Sequence, residues 1–251
     1  MYLKKELQTS FIHVMIALFL MGSLGISSVW AQSVYTVSRI NKPIRIDGNW
    51  DKKEWKKVSA VAIALPMGKV PEFIPKTYAK LAYDNDNLYL IFKVEDRYLK
   101  STVTEYNGNV SGDSCVEFFF SPDEDEPLRY FNLEVNAGGT PLIFYVTKPW
   151  TEFVKLDPEN ISKIEIAHSM PAVIDPEIVK DTTWTIECRI PFTMLEKYGK
   201  VTKPAKGVKW KANFYKTGSR TSNPHWFTWS KVDFPRPNFH LPEFFGTIVF
   251  K

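Results

Sequence analysis

The stretch "NLYLIFKVED", Asn87 to Asp96, decides the fold class. Leu88, Leu90, Phe92 and Val94 fall on one side of an extended chain, and Tyr89, Ile91, Lys93 and Glu95 on the other, which is the period of a strand. The preceding run "TYAKLAYD" (Thr77–Asp84) reads as a second strand, joined to the first through Asp84-Asn85-Asp86-Asn87. Asp and Asn tolerate the tight-turn geometries that β-branched residues resist, so the pair is expected to form a hairpin. The acidic turn also invites a calcium assignment, but a calcium loop needs six or more oxygens over a longer spacing.

The same period recurs in "YTVSRI", "VAIAL", "SCVEFFFS", "RYFNLEVN", "PLIFYV", "KIEIAH", "TTWTIECRI", "WKANFYK" and "GTIVF". About ten or eleven short strands separated by turn-rich loops predict an all-β, two-sheet antiparallel sandwich of jelly-roll type. Two short helices are expected: one in "DGNWDKKEWKKV" capped by Asp47, with Trp50, Trp55 and Val58 buried, and one in "PFTMLEKYG" from Pro191 to Gly199. No internal repeat or low-complexity linker interrupts the chain, so residues 32–251 are expected to form one domain.

Residues 1–31 read as a secretory signal peptide: Lys4 and Lys5 precede an uncharged, mostly apolar run from Phe11 to Trp30, and Val29-Trp30-Ala31 offers a cleavage site before Gln32. An uncleaved anchor is the rival, since the run approaches the ~20 residues that span a bilayer. Export to the periplasm, cell surface or medium is the expectation, with no membrane span after cleavage. The formal charge of +4 is spread along the chain and forms no basic stripe, which argues against nucleic-acid binding. The two cysteines, Cys115 and Cys188, either pair in an oxidising compartment or sit apart as small buried thiols.

Alternation assigns Phe131, Leu133 and Val135 to the core and leaves Tyr130, Asn132, Glu134 and Asn136 on the other face. It likewise separates Trp184, Ile186, Cys188 and Ile190 from Thr183, Thr185, Glu187 and Arg189, and Trp210, Ala212 and Phe214 from Lys211, Asn213 and Tyr215. If these strands are neighbours, their polar faces make a surface able to donate and accept hydrogen bonds in fixed directions. Close by in sequence, "PHWFTWSKVDFPRPNFHLPEFFG" (Pro224–Gly246) is too proline-rich for a helix and too irregular for one strand. Phe244, Phe245 and Phe250 suit the core. Trp226 and Trp229, with His225 and Arg220 nearby, either pack beneath the loop or present the flat aromatic face that a sugar ring stacks on. His240 either fixes the loop or touches a ligand.

The ordered set of motifs resembles family 9 carbohydrate-binding modules. "IRIDGNWDKKEW" (Ile44–Trp55) looks like their opening, "AKLAYDNDNLYLIFKVED" (Ala79–Asp96) like their hairpin, and "GDSCVEFFFSP" (Gly112–Pro122) like their acidic strand. "WTIECRIPF", "NFYKTGSRTSNPHWFTWS" and "NFHLPEFFG" resemble the later strands and closing segments, so the likeness spans Ile44 to Phe250. The resemblance implies a non-catalytic β-sandwich that binds an oligo- or polysaccharide, often alongside glycoside hydrolases, with two tryptophans clamping a sugar. It also leaves calcium possible as a bound ion. Trp226, Trp229 and Trp150 are the candidates for the clamp, whereas Trp50, Trp55, Trp184 and Trp210 read as core. The carbohydrate-binding set expected from sequence is Trp226, Trp229, His225, Arg220, His240, Tyr215, Asn132, Glu134 and Glu117, with no catalytic residue.

Other classes have less support. Glycoside hydrolysis needs two carboxyls flanking the scissile bond, for which Asp113, Glu117, Glu134 and Glu187 are the available groups. The sequence holds no Gly-x-Ser-x-Gly elbow and no His-Glu-x-x-His zinc motif. Haem would need His225 or His240 as an axial ligand in an apolar slot. A protein-interaction scaffold that merely kept the fold is the remaining alternative.

Overall fold

The structure, a computed structural model, describes residues 32–251; the expected signal peptide lies outside the described residues. Fourteen strands form one curled sheet that folds on itself into two layers. The first layer runs β10 (Glu165–His168), β11 (Ile174–Pro191), β5 (Asn87–Ser101), β4 (Lys76–Tyr83), with β2 (Val61–Ala62) on the edge of β4. The second runs β14 (Gly246–Phe250), β12 (Lys209–Thr217), β6 (Cys115–Ser121), β7 (Tyr130–Asn136), β8 (Pro141–Lys148), β9 (Glu152–Lys155). β13 (Trp226–Thr228) pairs with the far end of β12, and β3 (Leu65–Pro66) pairs with β13.

β1 (Val34–Arg39) joins the layers. Val34 to Val37 pair in parallel with β14, and Ser38 and Arg39 then pair in parallel with β4. The sandwich is therefore mixed where a wholly antiparallel one was expected, because the first strand must pass from one layer to the other without reversing. The additional strands are β3, β9 and β13, pieces of two to four residues too short to show a period in sequence, while the expected strand in "VAIAL" forms as the two-residue β2.

The hairpin forms as anticipated: Asp84 Oδ1 accepts from the amides of Asp86 (2.8 Å) and Asn87 (2.7 Å), and its Oδ2 accepts from the Tyr89 hydroxyl (2.6 Å). These bonds occupy the carboxylate in closing the turn. Leu81, Leu90, Phe92, Val94, Trp184, Ile186, Cys188 and Ile190 from the first layer meet Val116, Phe118, Phe120, Phe131, Leu133, Val135, Trp210 and Phe214 from the second in one core. Cys115 and Cys188 are free, buried thiols; Cys188 lies in that core and Cys115 in a separate apolar cluster with Val110 and Leu142.

Two local expectations are corrected. The first helix spans only Lys53–Lys56, with Lys52 at its N-cap. Asp47 instead accepts from the amide of Asn49 and pairs with Lys52. Glu187, expected on an open polar face, is fully buried. Its carboxylate accepts from the amides of Asp47 (2.9 Å) and Gly48 (2.8 Å), from Lys52 Nζ (2.9 Å) and from Trp55 Nε1 (2.7 Å). Gly48 adopts φ +74° there, a left-handed conformation that glycine enters without strain. The clamp fastens the N-terminal segment to the outer side of β11, in the opposite layer from β7 and β12.

Glu187→Ala leaves Lys52 and the Trp55 indole N–H without their buried acceptor. We expect a loss of about 3–5 kcal/mol of folding free energy, the range for removing one partner of a buried ion pair. Urea denaturation measures it, and a variant within 1 kcal/mol of the parent would contradict the assignment.

Candidate functional site

The outer face of the second layer carries the functional candidates, and the register sets them in rows. Tyr215 lies opposite Glu117, and Glu117 opposite Glu134. In the next row Trp226 lies opposite Thr217, Thr217 opposite Cys115, and Cys115 opposite Asn136. Every residue of β6 and β7 is buried, so this face is covered and is no ordinary solvated sheet surface. The cover is the proline-rich C-terminal segment: Phe239 stacks on Tyr215 at 4.1 Å, and Met67, Phe119, Tyr130, Val146, Val232 and Phe245 complete the cluster.

Beside that cluster the cover leaves a cavity of about 140 Å³. Glu117 and Glu134 line it from the sheet; Trp226, Asn238 and His240 line it from the C-terminal segment, Trp150 from the turn between β8 and β9, and Thr217 and Ser219 from the end of β12 and the loop after it. Trp150 is 66% exposed and has φ +66°. The turn is closed by Thr151 N–H to Lys148 O (3.2 Å), with Pro149 second and Trp150 third. The third position with positive φ is one that Gly or Asn ordinarily takes. A bulky exposed side chain held there at a cost of order 1–3 kcal/mol points to function. The Trp150 ring meets His240 edge-on at 4.4 Å.

Glu117 and Glu134 form a like-charged cross-strand pair, an arrangement that destabilises a sheet when both are ionised. Burial, together with the neighbouring Glu134, pushes the Glu117 carboxyl well above the usual range. Burial also raises Glu134 to about 7, against the Asn132 amide, which donates to its Oε1 at 3.1 Å. His240, hydrogen-bonded through Nδ1 to the Tyr130 hydroxyl (2.7 Å), is held neutral by burial, its pKa lowered to about 4.

Four of the residues expected from sequence thus meet at the cavity: Glu117, Glu134, Trp226 and His240. The other five do not line it. Trp229 packs against the main core, edge-on to Phe214 and Tyr35, so close over Gly246 that a Cβ there would lie 2.5 Å from the indole. His225 is fully buried. The Asn223 carbonyl accepts from its Nδ1, which leaves Nε2 to accept from Lys216 Nζ (2.7 Å), and burial lowers its pKa to about 3. With both nitrogens engaged, it offers no haem ligand. Tyr215 is buried under Phe239 and donates to the Phe239 carbonyl at 3.1 Å. Asn132 supports Glu134 from beneath and accepts from the Phe144 amide (3.1 Å). Arg220 is exposed beside Gly112, next in the chain to Ser219, and does not itself line the cavity.

Sequence reasoning undervalued Trp150 and missed Thr217, Ser219 and Asn238. The signal for Trp150 was "KPWT", a Pro followed by a position that prefers glycine. A larger hollow of about 560 Å³ over Val34, Lys209 and Thr247 offers no stacking face, because its one indole, Trp210, is 1% exposed. Among the described residues, the one cluster of three acidic, thiol or imidazole groups close enough to share a metal ion is Cys115, Glu117 and Glu134, a donor set with too few oxygens for calcium.

Residues 50–250 match carbohydrate-binding family 9. The chain belongs to that family. A protein of Bacteroides uniformis, provisionally described as carbohydrate-binding, superposes on this family 9 module with a TM-score of 0.79 at 25% identity, covering 88% of this chain and 100% of the other. Two structures of a family 9 module from Caldicellulosiruptor kristjanssonii, one with cellotriose and one with glucose, give TM-scores of 0.58 and 0.59 at 18% identity. They cover 87% of this chain and 94% and 96% of theirs, and the likeness is one of fold. No curated protein sequence matches the chain.

Raised carboxyls make stability depend on pH. An acid whose folded pKa exceeds its unfolded value contributes stability below the unfolded value and loses it as pH rises through the folded one. For Glu134 that window runs from 4.5 to about 7. His225 and His240, lowered to about 3 and about 4, act with the opposite sign below 6.5. The double variant Glu117→Gln/Glu134→Gln isolates the carboxyls: its melting temperature should rise relative to the parent's as pH increases from 4.5 through 7. Thermal melts across that range measure the difference, and a constant difference would refute the shared burial of the pair.

Proposed function

We propose that this module binds a saccharide non-covalently in the cavity between Trp150 and Trp226. The observation that carries the proposal is the company of an exposed indole in a strained turn, a second indole on β13, and two carboxyls on the floor between them. A sugar ring has an apolar face and a rim of hydroxyls; aromatic rings meet the first, and Glu117, Glu134, Thr217, Ser219 and Asn238 offer hydrogen-bond partners for the second. The size of the cavity favours one terminal sugar over the interior of a long chain. Cello-oligosaccharides and glucose, held by the Caldicellulosiruptor kristjanssonii module, are the first ligands to try.

Binding is favoured over hydrolysis by the position of the carboxyls. Glu117 and Glu134 are side by side on one sheet, in direct cross-strand register. A glycosidase needs its two carboxyls on opposite sides of the scissile bond, whereas these approach a ligand from the same side. We further propose that the chain is exported by its first 31 residues and serves polysaccharide degradation or uptake. The charged start, apolar run and small residue at position 31 support export. N-terminal sequencing of the secreted protein tests it, with Gln32 as the expected first residue.

Trp150→Ala and Trp226→Ala should each weaken saccharide binding by about 1–3 kcal/mol, the scale of a hot-spot contact. Isothermal calorimetry and affinity electrophoresis with cello-oligosaccharides measure this, with a thermal melt for each variant. Trp229→Ala is the control: it should melt early, yet bind normally when folded. Unaltered binding in both cavity variants would overturn the site, and failure of the parent to bind any of a broad panel of glycans would favour a scaffold.

A further inference from the structure

We infer that Cys115, Glu117 and Glu134 form a binding site for a divalent cation of the zinc class at the floor of the cavity. The thiol sulfur and one oxygen of each carboxylate lie within 4.8 Å of one another, and the three side chains are respectively 0%, 2% and 6% exposed. Two ligands on one tetrahedral zinc ion are separated by roughly 3.3–3.7 Å, given metal–ligand bonds of about 2.0–2.3 Å. Modest side-chain rotations would therefore close the set.

A second observation points to a ligand. Among the described residues, no hydrogen bond or ion pair satisfies the Glu117 carboxylate, although it is almost wholly buried and lines the cavity. Glu117 is not among the fully enclosed unsatisfied atoms; its carboxylate opens onto the cavity with no partner from the described residues, which leaves it available to whatever enters there. Cys115 meanwhile makes only a long contact of 3.6 Å to the Val116 carbonyl.

The chemistry of the donor set selects the ion. One thiolate with two carboxylates is too soft and too small a set for calcium or magnesium, and it suits a borderline cation that accepts sulfur and oxygen together. The surroundings provide support of the kind that metal ligands need. The Asn132 amide donates to Glu134 Oε1 and fixes its rotamer. Burial and the neighbouring carboxyls raise Cys115 and Glu117 well above their usual range, and Lys216, anchored on the inner side of the same layer by Asp96 (3.2 Å), His225 and the Thr217 carbonyl, offsets only part of that with its positive charge. Both glutamates line the cavity, so the ion would be reached from that side, and its remaining coordination position would face the cavity. Thiol and carboxyl groups ligate a metal in their deprotonated forms, so affinity should rise with pH.

The inference rests on these three side chains and not on saccharide binding. Cobalt(II) added to the metal-free protein should produce a near-ultraviolet thiolate-to-cobalt band that zinc(II) abolishes on displacement. The sequence contains two cysteines, so the source is assignable. Cys188→Ala should keep the band, Cys115→Ser should lose it, and Glu117→Gln should weaken cobalt binding at least tenfold. Zinc should also raise the melting temperature of the parent relative to EDTA, and should not do so for Cys115→Ser. Absence of the band from the folded parent protein overturns the proposal without need of any variant, and persistence of the band in Cys115→Ser overturns it equally. Saccharide binding that persists in EDTA while cobalt gives no band would remove the metal site and leave the proposed function standing.

Discussion

The central strands of the second layer, β6 and β7, are buried on both faces, and most of what is distinctive in this module follows from that constraint. β6 and β7 have no solvent-facing side, so alternation cannot place polar residues in water there. The inward face joins the main core. The outward face must be covered, and the segment between Trp229 and Gly246 provides the cover with Phe239, Phe244 and Phe245. Its prolines suit that role, since a covering segment without ladder partners loses little by lacking backbone donors. Where the outward residues are aromatic the cover closes by stacking. Where they are Glu117 and Glu134 it stands off and leaves the cavity.

The two layers are also tied across their interior by charge. Lys216 on β12 reaches Asp96 on β5, and His225 accepts from the same ammonium. Such a pair seldom stabilises more than a well-packed apolar substitute would, yet removing one member strands a charge in the core. His225 is consequently a structural residue, and the same geometry that removes it from the site sets the electrostatic background of the cavity floor. Glu187 has the corresponding part on the outer side of the first layer, where a single carboxylate gathers two amides, an ammonium and an indole.

Trp150 and Trp229 show why residue type alone is a poor guide to a binding site. Trp229 lies in the segment densest in aromatics, yet it fills the space over Gly246 and its indole contributes to the core. Trp150 stands alone in a short turn between two strands and is the exposed one. The difference lies in backbone placement: the chain pairs with β12 at Trp226–Thr228 and seats Trp229 against Gly246 of β14, whereas Trp150 occupies the third position of the turn between β8 and β9.

The sequence by itself determined the all-β class, the acidic hairpin, and the side to which the residues of β7, residues 183–190 of β11 and residues 210–215 of β12 point. Alternation is local, and a strand buried on one side must obey it. The motif order likewise carried the family. What only the tertiary structure decided was which strands share a layer and what covers them. Parity cannot tell that Glu134 and Glu187 face opposite ends of the stack, or that Tyr215 and Asn132 point outward and yet are buried. Those outcomes depend on strand order and on the path of the C-terminal segment, contacts between residues a hundred positions apart, for which a one-dimensional pattern has no term.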